Sequence, residues 1–147
     1  DVDAIGFSMG GLVARYAASD MYLAKSGRRL SIKRLFTVSS PHCGAKLAWV
    51  PMPDSRVADM RSGSGFLDRL NAEPRDYEVF AYTRLGDEVV GERNAAPPGQ
   101  TAWWVCKHFG LSHASAYSER RILADIARRL RSEGRFARHP PAPLPED

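Results

Sequence analysis

The hydrophobic pattern divides the chain into alternating strand-like and helix-like segments. Residues 1–7, DVDAIGF, form a short apolar run of the kind buried in parallel sheets. Between Gly10 and Gly27, Leu12, Val13, Tyr16, Ala17, Leu23 and Ala24 recur at helical spacing, and Gly27 is a natural stop. Residues 31–40, SIKRLFTVSS, are rich in β-branched and aromatic residues and predict a second strand that ends at Pro41. Residues 44–76 are less regular. They predict one short helix, GFLDRLN, with Ser64 as its N-cap. This stretch is a candidate lid or insertion, with Leu47, Trp49, Val50 and Met52 as its apolar lining. In residues 77–86, Tyr77, Val79 and Ala81 alternate with Phe80 and Tyr82, which predicts a third strand. The segment NAAPPGQ reads as a loop and TAWWVC (101–106) as a short fourth strand. The clearest helix is SERRILADIARRLRSEG. Ile122, Ile126 and Leu130 mark one face, Leu123 and Ala127 flank it, Ser118 caps its start and Gly134 its end. Residues 135–147 are Pro-rich and predict an extended, disordered tail.

Such alternation predicts an α/β fold, a parallel sheet flanked by helices. In such sheets, sites form beyond the C-terminal ends of the strands. Gly6-Phe7-Ser8-Met9-Gly10 stands at that place after the first strand and fits G-x-S-x-G. A chance match in a chain of this composition is expected on the order of 0.1 times, so the strand before and the helix after carry the weight. A sharp strand-to-helix turn strains the serine and thrusts its oxygen above the sheet. Glycines two residues either side relieve the crowding. The N–H of Met9, at a helix N-terminus, then faces the same space and can stabilise an oxyanion.

Composition adds limits. The chain has 147 residues, 44% hydrophobic and 26% charged, enough for one globular domain with a core. The net charge of +4 comes from Lys and Arg interleaved with acids rather than with aromatics. That pattern predicts solvated helix faces, not a nucleic-acid surface. No apolar run approaches the ~18 residues of a membrane span. Cys43 and Cys106 have no metal-ligand spacing and read as free thiols, with a disulfide between them as the alternative.

A serine nucleophile needs a base, and the base needs an orienting acid. His108 and His113 both lie between the last strand and the last helix. Asp87 and Glu88 follow the third strand. His139 belongs to the tail, and Asp54, Asp59 and Asp76 read as surface or turn residues.

VDAIGFSMGGLVARY resembles the nucleophile elbow of the α/β-hydrolase family, in its bacterial lipase/esterase branch. LFTVSSPHCGAKLA is similar to the strand-six segment of those lipases, with Ser40 where threonine is usual. MRSGSGFLDRLN is similar to a further lipase segment, with Ser62 where proline is usual. LGDEVV and the last helix also match, so the likeness covers about residues 1–133 and strands five to eight of that fold. The resemblance implies Ser8 as nucleophile and Asp87, rather than Glu88, as acid. It implies His113 as base, from the register of Glu119, Arg121, Ile122 and Leu123. Met9 N–H would be an oxyanion donor, and Phe7, His42, Trp103 and Trp104 would be possible pocket walls. It implies a serine hydrolase acting on small-molecule or lipid carboxyl esters, with no metal or cofactor. An acyltransferase, an amidase or a non-catalytic scaffold would share these residues. In the family a second oxyanion donor and a neighbouring strand come from earlier in the chain. Residues 1–134 are therefore expected to be the C-terminal part of a larger catalytic domain, with the missing N-terminal strands as partners. On its own, such a piece is expected to be aggregation-prone and weakly active, with its first strand an exposed edge.

Overall fold

A computed structural model describes residues 1–49 and 55–134. Val50 and Met52 of the expected lid, and the tail at 135–147, lie outside the described residues. Four strands, β1 (Val2–Phe7), β2 (Ile32–Val38), β3 (Glu78–Arg84) and β4 (Trp103–Val105), form one sheet in the order β1-β2-β3-β4. All three pairings are parallel. The register aligns Ala4 with Leu35 and Val79, and Val38 with Tyr82 and Trp103.

Both sheet faces are covered, which explains why β2 is apolar on successive residues. Phe36, Val38 and Tyr82 point to one face and pack with Ala116, Ile122 and Ile126 of α5 (Ser112–Ala116) and α6 (Arg120–Leu130). Leu35 and Ile32 point to the other and pack with Ala14 and Ala18, at α1 (Met9–Ala17). There Leu12 also meets Leu67 and Leu70 of α4 (Gly65–Ala72). A fourth cluster joins Ala45, Ala48, Ala81, Val90, Ala95, Ala96 and Ala102. Ala45 and Ala48 of the irregular 44–76 stretch are thus core residues, and α3 (Ser55–Asp59) follows them. β1 is an edge strand of the sheet, as is β4, and Ile5 of β1 is 59% exposed.

The structure corrects several expected boundaries. The helix expected over 10–27 breaks into α1 and α2 (Asp20–Ser26). Ser19 causes the break, because its hydroxyl accepts the Tyr22 N–H at 3.1 Å and donates to the Tyr16 carbonyl at 2.6 Å. Glu73 then accepts the N–H groups of Asp20 and Met21 at 2.9 and 3.0 Å. The last helix is capped by Glu119, not Ser118, and ends at Leu130 rather than near Gly134. Its Asp125 is buried and accepts the Tyr82 hydroxyl at 2.7 Å and Arg129 Nε at 2.6 Å. Both cysteines are unpaired, and the Cys43 thiol donates to the Ala96 carbonyl at 3.3 Å. Among the described residues, no helix is long and apolar enough to cross a membrane.

Candidate active site

Ser8 sits on the turn between β1 and α1 with φ 50° and ψ −127°, in a backbone region costly for any residue but glycine. Its N–H donates to the Val38 carbonyl at 2.9 Å, which ties the turn to the end of β2. A Cβ on Gly6 would lie 2.5 Å from Gly11 N, and a Cβ on Gly11 would strike Ser40 Oγ. A Cβ on Gly10 would meet nothing within 4 Å. The crowding is thus relieved by Gly6 and Gly11, not by Gly6 and Gly10 as the motif implied. Gly10→Ala is expected to stabilise the protein by about 0.5–1 kcal/mol through helix propensity. Gly11→Ala is expected to destabilise it by about 1–3 kcal/mol through overpacking. Urea denaturation of the two variants measures both.

The C-terminal ends of β1 and β3 and the connection after β4 converge above the sheet. His113, in the one-turn helix α5, places Nε2 at 3.0 Å from Ser8 Oγ. Its Nδ1 lies 3.0 Å from both carboxylate oxygens of Asp87. With Nδ1 donating to the carboxylate, Nε2 is left to accept the Ser8 hydroxyl proton. Asp87 is almost fully buried and its Oδ1 accepts the N–H groups of Val89 and Val90 at 3.0 and 2.8 Å. Burial pushes this carboxyl up, but the hydrogen bonds from His113 and Val90 outweigh burial and hold it below its ordinary value. Asp87 therefore adds stability above the unfolded value of about 3.9, and that stability is lost as pH falls through the lower folded value. The urea midpoint is expected to fall below pH ~4, and to fall less steeply in Asp87→Asn.

Two supporting contacts are not signalled by the motifs. The Glu88 carboxylate accepts the backbone N–H of His113 at 3.2 Å. The ring of Phe7 packs against the His113 imidazole, with centroids 5.3 Å apart, and also against Tyr117. Met9 opens α1 with no side-chain cap from Ser8. Its N–H belongs to the first-turn donors that have no acceptor within the helix.

His108 is exposed on the loop before α5, and His113 is the imidazole that meets Ser8. The wall roles expected for His42 and Trp103 do not match their positions. His42 is fully buried, 3.0 Å from Arg15 Nη1 on one side and 3.0 Å from Thr37 Oγ1 on the other. Burial and the neighbouring Arg15 charge push it far below its ordinary value, so it is neutral. Arg15, itself buried, is pushed down to about 10, chiefly by desolvation. Trp103 packs edge-on to Tyr82 in the core. Trp104 is half-buried beside it in β4. Neither tryptophan is among the described residues that line the cavity at Ser8. That cavity is apolar, and Met9, Ala45, Ala48, Met60 and Val90 contribute to its wall.

A crystal structure of Bacillus licheniformis lipase BlEst2 in mature form superposes with a TM-score of 0.55 at 20% identity, over 79% of this chain and 60% of that one. The propeptide form of the same lipase gives 0.51 at 18% identity, over 79% of this chain and 32% of that one. The chain has an α/β-hydrolase-like fold. It spans three-fifths of the mature lipase's length. No protein-family model matches the chain, and no curated protein does. Within this fold, Ser8 follows β1, Asp87 follows β3 and His113 follows β4, in the chain order Ser, Asp, His.

Proposed function

We propose that the protein is a serine hydrolase that cleaves carboxyl esters. The observation that carries this reading is the unbroken hydrogen-bond chain from Ser8 Oγ through His113 to Asp87. In the proposed mechanism, Ser8 Oγ attacks the acyl carbon while His113 Nε2 accepts its proton. Charge builds on the carbonyl oxygen, and the Met9 N–H and the α1 dipole stabilise it there. The tetrahedral intermediate collapses, the C–O bond to the alcohol breaks, and His113 returns the proton to the leaving oxygen. Water, deprotonated by the same imidazole, then attacks the acyl-enzyme and frees the acid. Asp87 remains ionised throughout and stabilises the imidazolium in each half-reaction. Phe7 and Glu88 limit movement of the imidazole by holding its ring and its backbone. The structural similarity to a lipase and the apolar cavity beside Ser8 both favour an ester with an apolar acyl group.

The test is hydrolysis of p-nitrophenyl butyrate by the complete protein, with and without an added primary alcohol. Equimolar release of p-nitrophenol and butyrate is expected. Formation of the transferred ester as the main product would make the protein an acyltransferase. Absence of turnover on esters, with cleavage of the matching anilide, would make it an amidase.

A further inference from the structure

The cavity beside Ser8 is small and apolar. Its volume is about 210 Å³, and every described lining residue except Ser8 is apolar. Ala45, Ala48 and Val90 are buried and form the enclosed part, while Met9 and Leu47 are 41% and 47% exposed and form the rim. The wall is held by backbone bonds. Ala45 N–H donates to Met60 at 2.8 Å, and Leu47 N–H donates to Val89 at 3.0 Å. Arg61 Nε donates to the Ala48 carbonyl at 2.8 Å. The cavity is therefore present without a ligand, and the small side chains of Ala45 and Ala48 leave its space open.

His113 is not among the described lining residues, whereas Ser8 and Met9 are. The leaving alcohol must depart next to His113, which gives it a proton. The group on the other side of the reacting carbon then faces the cavity, next to the proposed oxyanion donor. An apolar cavity of about 150 Å³ accepts benzene, so 210 Å³ holds roughly eight carbons.

Resting on the ester-hydrolase reading above, we propose that this cavity is an acyl pocket that selects straight chains of hexanoyl to octanoyl length. Ala48 and Met60 set the limit. Ala48 is a buried wall residue, where a larger side chain would fill the space. Met60 closes the wall between two core clusters, where a smaller side chain would lengthen it.

The test is the second-order rate of Ser8 labelling by p-nitrophenyl alkylphosphonates with chains from ethyl to hexadecyl, with the labelled peptide located by mass spectrometry. In this reaction Ser8 Oγ bonds to phosphorus and p-nitrophenolate leaves. The rate is expected to rise about fourfold per methylene up to octyl, following the burial of each methylene, and to fall at hexadecyl. Ala48→Leu should move the optimum down to butyl, and Met60→Ala should move it beyond octyl. Should Ala48→Leu fail to fold, Met60→Ala alone decides. Labelling of Ser8 at rates independent of chain length, or an optimum unmoved in the folded variants, would overturn the acyl-pocket assignment and leave the nucleophile standing. No labelling by any probe would overturn both.

Discussion

Replacing Ser8 with alanine is expected to lower kcat on p-nitrophenyl butyrate by about 10⁶-fold, the scale of losing the nucleophile from a serine triad. The size follows from the surroundings. The described residues that line the cavity with Ser8 are apolar, so no second nucleophile stands ready to replace it. The fold should survive. Ser8 holds its turn through main-chain bonds, its N–H to Val38 and its carbonyl to Gly11, and alanine keeps both. Thermal unfolding of Ser8→Ala should therefore stay close to that of the unaltered protein, while turnover vanishes. A variant that folds and keeps more than a trace of esterase activity would contradict the assignment.

Asp87→Asn is expected to cost about 10⁴ in kcat, for a reason of tautomer rather than of packing. The two backbone N–H groups of Val89 and Val90 require an acceptor at the Oδ1 position. The new amide must place its oxygen there and its NH₂ toward His113 Nδ1. That nitrogen would then accept, the imidazole proton would move to Nε2, and the Ser8 hydroxyl would lose its acceptor. Steady-state kinetics of Asp87→Asn beside His108→Ala measure the effect. The exposed His108 should leave the rate unchanged when removed.

The elements were legible in the sequence where the pattern was local. The strand spans of β1, β2, β3 and β4 follow from short apolar or alternating runs, and the turn at Ser8 follows from its glycines. Asp87 and His113 are legible only from chain order and family register. What brings them to Ser8 is the stacking of parallel strands, which no window of residues contains. Features that depend on distant partners stayed hidden. Glu73 caps a helix more than fifty positions earlier in the chain. Arg15 reads as a polar residue on a helix face, yet it is buried against His42 and the Leu70 carbonyl. The five residues of α5 carry no periodic pattern, so the helix that presents His113 went unforeseen. The cavity wall was equally silent, because alanines at 45 and 48 give no hydrophobic period until neighbouring segments close around them.

In the proposed mechanism Ser8 is an activated nucleophile and His113 activates it. The most direct test is the rate at which a fluorophosphonate labels the complete protein, compared with Ser8→Ala, His113→Ala and His108→Ala. Rapid labelling is expected on the peptide that holds Ser8. Labelling should be absent in Ser8→Ala, strongly slowed in His113→Ala and unchanged in His108→Ala. Labelling that persists in His113→Ala and disappears in His108→Ala would contradict this mechanism.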